Sequence, residues 1–129
     1  RRAKATSNIC TAQALCALRA LIYLSLMGKA GLVEAAELCA ANAGYGWQKL
    51  TAIPGVKPTY ATHFFNEFAL TLPIPAADAV SALLDKGYAA GFPVGRYYRG
   101  LDSVLLVAFT EQRTKEEIDG LAAALEAVL

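Results

Sequence analysis

His63 is the single histidine of the chain, and histidine is the first side chain to weigh wherever a proton must move near neutral pH. Set alone beside Phe64 and Phe65, it reads as a satisfied structural residue rather than a general base. There is no second histidine and no carboxylate pair at a compelling spacing, so no catalytic residue and no metal cluster is expected. The three cysteines, Cys10, Cys16 and Cys39, are an odd number without metal-ligand spacing. They fit a reduced, cytoplasmic protein. Lys4 lies in a basic opening with Arg1 and Arg2. An imine-forming lysine needs an amine that loses its proton easily, usually through burial, and the surrounding open loop makes a solvated or phosphate-facing cation the plainer reading.

Two groups of residues are better placed to bind than to react. Thr6, Ser7 and Asn8 come just before an apolar helix. Their side chains are helix caps by type, and with Arg1, Arg2 and Lys4 close by they also suit a phosphate or carboxylate at the exposed helix amides. Simple capping is the reading to beat. Gly95-Arg96-Tyr97-Tyr98-Arg99 joins guanidinium groups to aromatic faces, both favoured at interfaces. It reads equally as an anion or partner surface and as an ordinary rim loop. Phe64-Phe65-Asn66-Glu67-Phe68 is expected to enter the core as a strand start, with Glu67 pointing outward or into a neighbouring chain.

The elements that must position these residues follow from period and punctuation. A first helix is predicted from near Thr11 to Gly28, with Leu15, Leu18, Ile22 and Leu26 on one face. Gly31 marks a short connection. A second helix is predicted from Leu32 to Ala52, its apolar face Leu32, Ala36, Cys39, Ala43 and Leu50, ended by Pro54-Gly55. Phe68, Leu70 and Leu72 alternate with Glu67, Ala69 and Thr71, the pattern of a half-buried strand. Pro73 and Pro75 close it. A short helix over Ala76–Lys86 turns Val80, Leu83 and Leu84 inward and stops at Gly87. A short strand fits within 88–94, and the apolar run Val104–Phe109 fits a central strand. Thr114 and Glu117 form a capping box for a last helix with Ile118, Leu121, Leu125 and Val128 inward. Few, short strands separated by helices predict an α+β fold, with helices on one face of a small, mainly antiparallel sheet.

Composition sets limits around this. The chain has 129 residues, enough for a single domain. Its hydrophobic share of 56% is high against the usual 45–50%; alanine supplies much of the excess, which suits closely packed helices and equally an isolated piece of a larger protein. The net charge of +1 gives no general case for nucleic acid. Ile9 to Gly28 is long enough for a bilayer, but Arg19 at mid-span would cost about 2.5–3.5 kcal/mol. Asn8, Thr11, Gln13 and Ser25 add to that. The segment therefore reads as a buried helix of a soluble protein, not a membrane span. The chain also opens mid-motif, on a hydroxyl-rich basic loop, and so reads as the carboxyl-terminal piece of a larger protein.

Four blocks carry a resemblance: RRAKATSNICTAQAL at the opening, then FFNEFALTLP, GRYYRGLD and TEQRTKEEIDGL, in that order. Together they resemble the P-protein of the glycine cleavage system, the later blocks its shorter bacterial subunit 1 form. Ala3 departs from the family, which usually has an acidic residue there, and this removes an ion pair from that position. The resemblance implies a fold-type I, pyridoxal-phosphate enzyme. This chain would be its small domain, with residues 1–28 as a linking helix and 29–129 as an α+β sandwich within one domain. It implies a cytoplasmic heterotetramer that decarboxylates glycine and passes the aminomethyl group to the lipoyl arm of the H-protein, with pyridoxal phosphate as the electron sink. It also implies that the cofactor lysine belongs to subunit 2, so that subunit 1 is non-catalytic, and that Thr6 and Ser7 are candidates to reach the partner subunit's cofactor phosphate. The rival reading is an autonomous α+β binding or assembly module without catalysis. The two differ in one respect: a fragment leaves a large apolar patch exposed along residues 1–28, and an autonomous module buries it.

Overall fold

The computed structural model describes residues 13–60 and 62–129. Helix α1 is assigned over Ala14–Thr51, but Gly28 breaks it at φ 59°, ψ −172°. Glycine adopts that left-handed φ without the Cβ clash that other residues meet, so the expected stop at Gly28 is real. The helix resumes at once, however, and carries Gly31 inside it, so no separate connection precedes Leu32. By contact the chain forms two compact units, Arg1–Ala35 and Ala36–Leu129.

The second unit carries the sheet. Pro54 and Gly55 turn the chain out of α1, with Gly55 at φ 89°. β1 (Lys57–Pro58), β2 (Glu67–Thr71), β3 (Phe92–Pro93) and β4 (Val104–Ala108) form one four-stranded sheet in the order β1-β2-β4-β3. Every pairing is antiparallel. The two-residue β1 has no periodic signal in the sequence. It is held by the Thr59 amide donating to the Ala69 carbonyl at 3.0 Å and by a hydroxyl contact of 2.9 Å between Thr59 and Thr71. β2 and β4 are the central pair, in register Phe68↔Val107 and Leu70↔Leu105. These four side chains are buried on one face. Glu67, Ala69, Leu106 and Ala108 alternate onto the other, as a period of two requires.

Helix α2 (Ala76–Asp85) and helix α3 (Lys115–Glu126) join the later part of α1 on the buried face, where Ala43, Leu50, Ala79, Leu83, Ile118, Leu121 and Leu125 meet the strands in one core. The capping box of α3 is present as expected. Glu117 N–H donates to Thr114 Oγ1 at 3.2 Å, and Thr114 N–H donates to Glu117 Oε2 at 2.9 Å. Three expected inward positions turn out differently. Leu84 is exposed, because the buried stripe of α2 runs through Ala76, Ala79 and Leu83. Leu32 and Ala36 are exposed as well, because the inward face of α1 begins only at Ala43 and continues through Gly46 and Leu50. Gly46 is required by close approach: a Cβ there would enter the ring of buried Phe109 at the end of β4.

Candidate functional site

Thr6, Ser7 and the basic residues Arg1, Arg2 and Lys4 lie outside the described residues. The first part of α1 is uncovered, against the reading of a buried helix and in keeping with the patch expected of a fragment. Leu15, Leu18, Leu21, Ile22, Leu24 and Leu26 are each half exposed or more, Leu15 at 72% and Leu26 at 81%. Leu21 and Leu24 fall off the stripe predicted from Leu15, Leu18, Ile22 and Leu26, so this segment is apolar on more than one side. A helix of that kind belongs inside a larger body of protein or lipid. The expected buried helix is therefore uncovered here. Full burial is worth roughly 1.5–3 kcal/mol per aliphatic side chain, so the six together leave on the order of 5–10 kcal/mol of burial unrealised. By length and composition α1 is apolar enough to cross a membrane, and Arg19 stands among these residues as the one charge. It lines, with Cys16, Ala20, Ile22, Tyr23 and Leu26, an open groove of about 580 Å³.

The Arg96 to Arg99 loop is ordered by its own packing. Pro93 leads into a 3-10 turn over Val94–Arg96, and the amides of Tyr97 and Tyr98 both donate to the Val94 carbonyl at 3.1 Å. Phe92 and Tyr97 stack at 5.7 Å between centroids, 11° from parallel, and the Arg96 guanidinium lies 5.7 Å from the centre of the Tyr97 ring. Arg96, Tyr97, Tyr98 and Arg99 remain exposed, and neither arginine has an ion-pair partner among the described residues. The loop edges a groove of about 480 Å³ with Pro75, Ala77, Pro93, Gly95 and Asp102. It is a rim loop by position and a binding surface by composition, so the structure keeps both expectations.

His63 is exposed, and no hydrogen bond to it occurs among the described residues, so it is not the satisfied structural residue expected. Phe68 enters the core as foreseen, but Phe64 and Phe65 stay exposed, and Glu67 points outward. The reason is register: β2 starts at Glu67, so Phe64 and Phe65 precede the strand, and Phe64 joins an aromatic row along its end. The row runs Trp47–Phe64–Phe68–Phe109, with centroid spacings of 6.3, 5.1 and 6.1 Å.

One polar seam escaped the sequence reading. Cys39, assigned there to an apolar face, is half-buried against Glu111. Its thiol donates to Glu111 Oε2 at 3.2 Å and accepts from the Glu111 amide at 3.2 Å. Burial first, then the Glu111 carboxylate, push the thiol pKa up, which keeps it protonated and weakly nucleophilic. Asn42 donates to the carbonyls of Thr110 and Arg113 at 2.9 and 2.8 Å. Tyr45 donates to Asp119 at 2.8 Å, and Lys49 pairs with the same carboxylate at 2.9 Å. Lys49 and then Tyr45 lower the Asp119 pKa, while Asp119 and then Tyr45 raise that of Lys49. The available signals were helical: Tyr45 and Lys49, like Lys115 and Asp119, are four residues apart and share a face.

Pyridoxal phosphate asks for an amine that gives up its proton. Lys29, Lys49, Lys57, Lys86 and Lys115 are all exposed, and Lys49 is shifted the opposite way. The described lysines do not fit the role of covalent anchor. No group of three or more His, Cys, Asp or Glu side chains suited to a metal occurs among the described residues.

Residues 1–125 match the family model of the glycine cleavage system P-protein. The whole chain is 56% identical to a probable glycine dehydrogenase (decarboxylating) subunit 1 of Nitratidesulfovibrio vulgaris strain Miyazaki F and 50% identical to that of Moorella thermoacetica. It spans 29% of the length of each. A crystal structure of a glycine decarboxylase P-protein of the glycine cleavage system, in inhibitor-bound form, superposes with a TM-score of 0.77 at 35% identity, over 84% of this chain and 24% of that one. Sequence and fold agree over almost the whole chain: it belongs to the glycine cleavage system P-protein family.

Proposed function

We propose that this chain is the carboxyl-terminal small domain of subunit 1 of a decarboxylating glycine dehydrogenase. Residues 1–28 serve as its linking helix and 29–129 as its α+β sandwich. With subunit 2 it forms a cytoplasmic heterotetramer of fold type I that decarboxylates glycine and delivers the aminomethyl group to the lipoyl H-protein. Pyridoxal phosphate is held mainly by subunit 2, the isolated chain is inactive, and neither membrane nor nucleic acid is a partner. Thr6 and Ser7 reach the cofactor phosphate of subunit 2.

The observation that carries this reading is the uncovered apolar helix of residues 14–27, on a chain that spans 29% of the relatives it matches. The remaining length of such a subunit supplies the natural cover, since a stripe apolar on several sides needs neighbours on several sides. An autonomous module would have buried it. The exposed lysines are consistent with a cofactor anchor on another subunit.

The test is glycine-dependent exchange of carbon dioxide, assayed with full-length parent subunit, its partner subunit, H-protein and pyridoxal phosphate. Exchange is expected only from the assembled pair. A correctly assembled, cofactor-loaded complex without exchange overturns the proposal. Replacing Thr6 and Ser7 together by alanine should weaken cofactor binding; unchanged affinity removes their role.

A further inference from the structure

At the end of the sheet where β2 begins, a groove of about 250 Å³ opens between α1 and the loop before the strand. Its walls include Trp47, Tyr60, Thr62, His63, Phe64 and Glu67. Trp47 and Phe64 stand 6.3 Å apart and 38° from parallel, and the exposed Tyr60 adds a third ring to the lining. Aromatic faces are the negative side of the ring quadrupole and attract cations within about 6 Å. Glu67 is the carboxylate of the lining. It projects from the outward face of β2, and no ion pair to it occurs among the described residues, where the pairs are Lys49–Asp119 and Arg113–Glu117.

An anion would be repelled by Glu67 and by the ring faces alike, and a purely apolar guest would leave Glu67 without a purpose. We propose that this groove binds an organic cation, an alkylammonium or guanidinium head group seated among Trp47, Tyr60 and Phe64 with Glu67 as its counter-ion. The head group is either that of a free amine or that of a basic side chain on a polypeptide. The groove shares no lining residue with the one at Arg19 and does not depend on the activity of the parent enzyme.

Trp47 is the only tryptophan of the chain and reports on the groove directly. The full chain is titrated at pH 8 with n-butylammonium chloride, with the blocked tripeptide acetyl-Gly-Lys-Gly-amide, and with 1-butanol as the neutral control. Either cation should change Trp47 emission saturably, and 1-butanol should not. Tighter binding of the tripeptide assigns the head group to a polypeptide, and tighter binding of butylammonium assigns it to a free amine. Glu67→Gln, an isosteric change on an exposed strand position, should weaken binding about fivefold, and Phe64→Leu should weaken it by a similar factor. No saturable response to either cation, an equal response to 1-butanol, or unchanged affinity in Glu67→Gln overturns the proposal.

Discussion

Gly46→Ala tests the packing that brings α1 against the sheet. In an unconstrained helix the change is favourable, since alanine is better than glycine by about 0.8–1.0 kcal/mol. Here the new methyl would enter the Phe109 ring, with Phe109 Cδ2 and Cζ each at 2.8 Å. That is well inside the ordinary contact distance of about 3.5–4.0 Å between carbons. Phe109 is 4% exposed and stands 6.1 Å from Phe68, so the ring has no free side to move to. Overpacking of this kind costs about 1–3 kcal/mol. With so little room the upper end applies, and the net effect after the propensity gain is about 2 kcal/mol of destabilisation. For a domain of this size that lowers Tm by about 10 °C. Urea unfolding followed by the fluorescence of Trp47 reads it as a lower midpoint at unchanged slope. Phe109→Leu removes the obstructing ring edge, so the double variant should be more stable than the sum of the single effects by about 1–3 kcal/mol. A Gly46→Ala chain as stable as the parent would refute the argument, since α1 and β4 would then not meet as closely as described.

Thr114→Ala removes both the acceptor of the Glu117 amide and the capping box of α3; a loss of about 1 kcal/mol is expected, and Thr114→Ser should restore most of it. A Thr114→Ala midpoint equal to wild type would mean the cap is dispensable. The Lys49–Asp119 pair sets a pH dependence at both ends. Asp119 has a lowered pKa when folded, so its contribution is complete above the ordinary aspartate value of about 3.9 and is lost as pH falls through the folded value. Lys49 has a raised pKa, so its contribution is complete below about 10.4 and is lost as pH rises through the folded value. Both groups are 45% exposed, and added salt should weaken the effect. Unfolding curves of Asp119→Asn should be flatter than wild type at acid pH; identical acid limbs would show that the pair contributes nothing.

Local pattern determined much of this protein. The alternation Phe68-Leu70-Leu72, the unbroken run from Val104, the stop at Gly28, the turn at Pro54-Gly55 and the Thr114–Glu117 box each act over a few residues, and each is present in the structure. The four sequence blocks located the family for the same reason, since they are strings of neighbouring residues. What pattern did not determine depends on partners far along the chain. β1 exists because Thr59 meets Ala69 and Thr71. The Cys39–Glu111 and Tyr45–Asp119 contacts join residues 72 and 74 positions apart. The groove of Trp47, Tyr60, Phe64 and Glu67 forms only when the end of α1 is packed beside the start of β2. Periodicity says which side of a helix or strand is apolar, but not whether anything covers it. Leu84, Leu32 and the α1 stripe all have the right spacing and lie uncovered, because burial belongs to the neighbours an element acquires in three dimensions and not to the element itself.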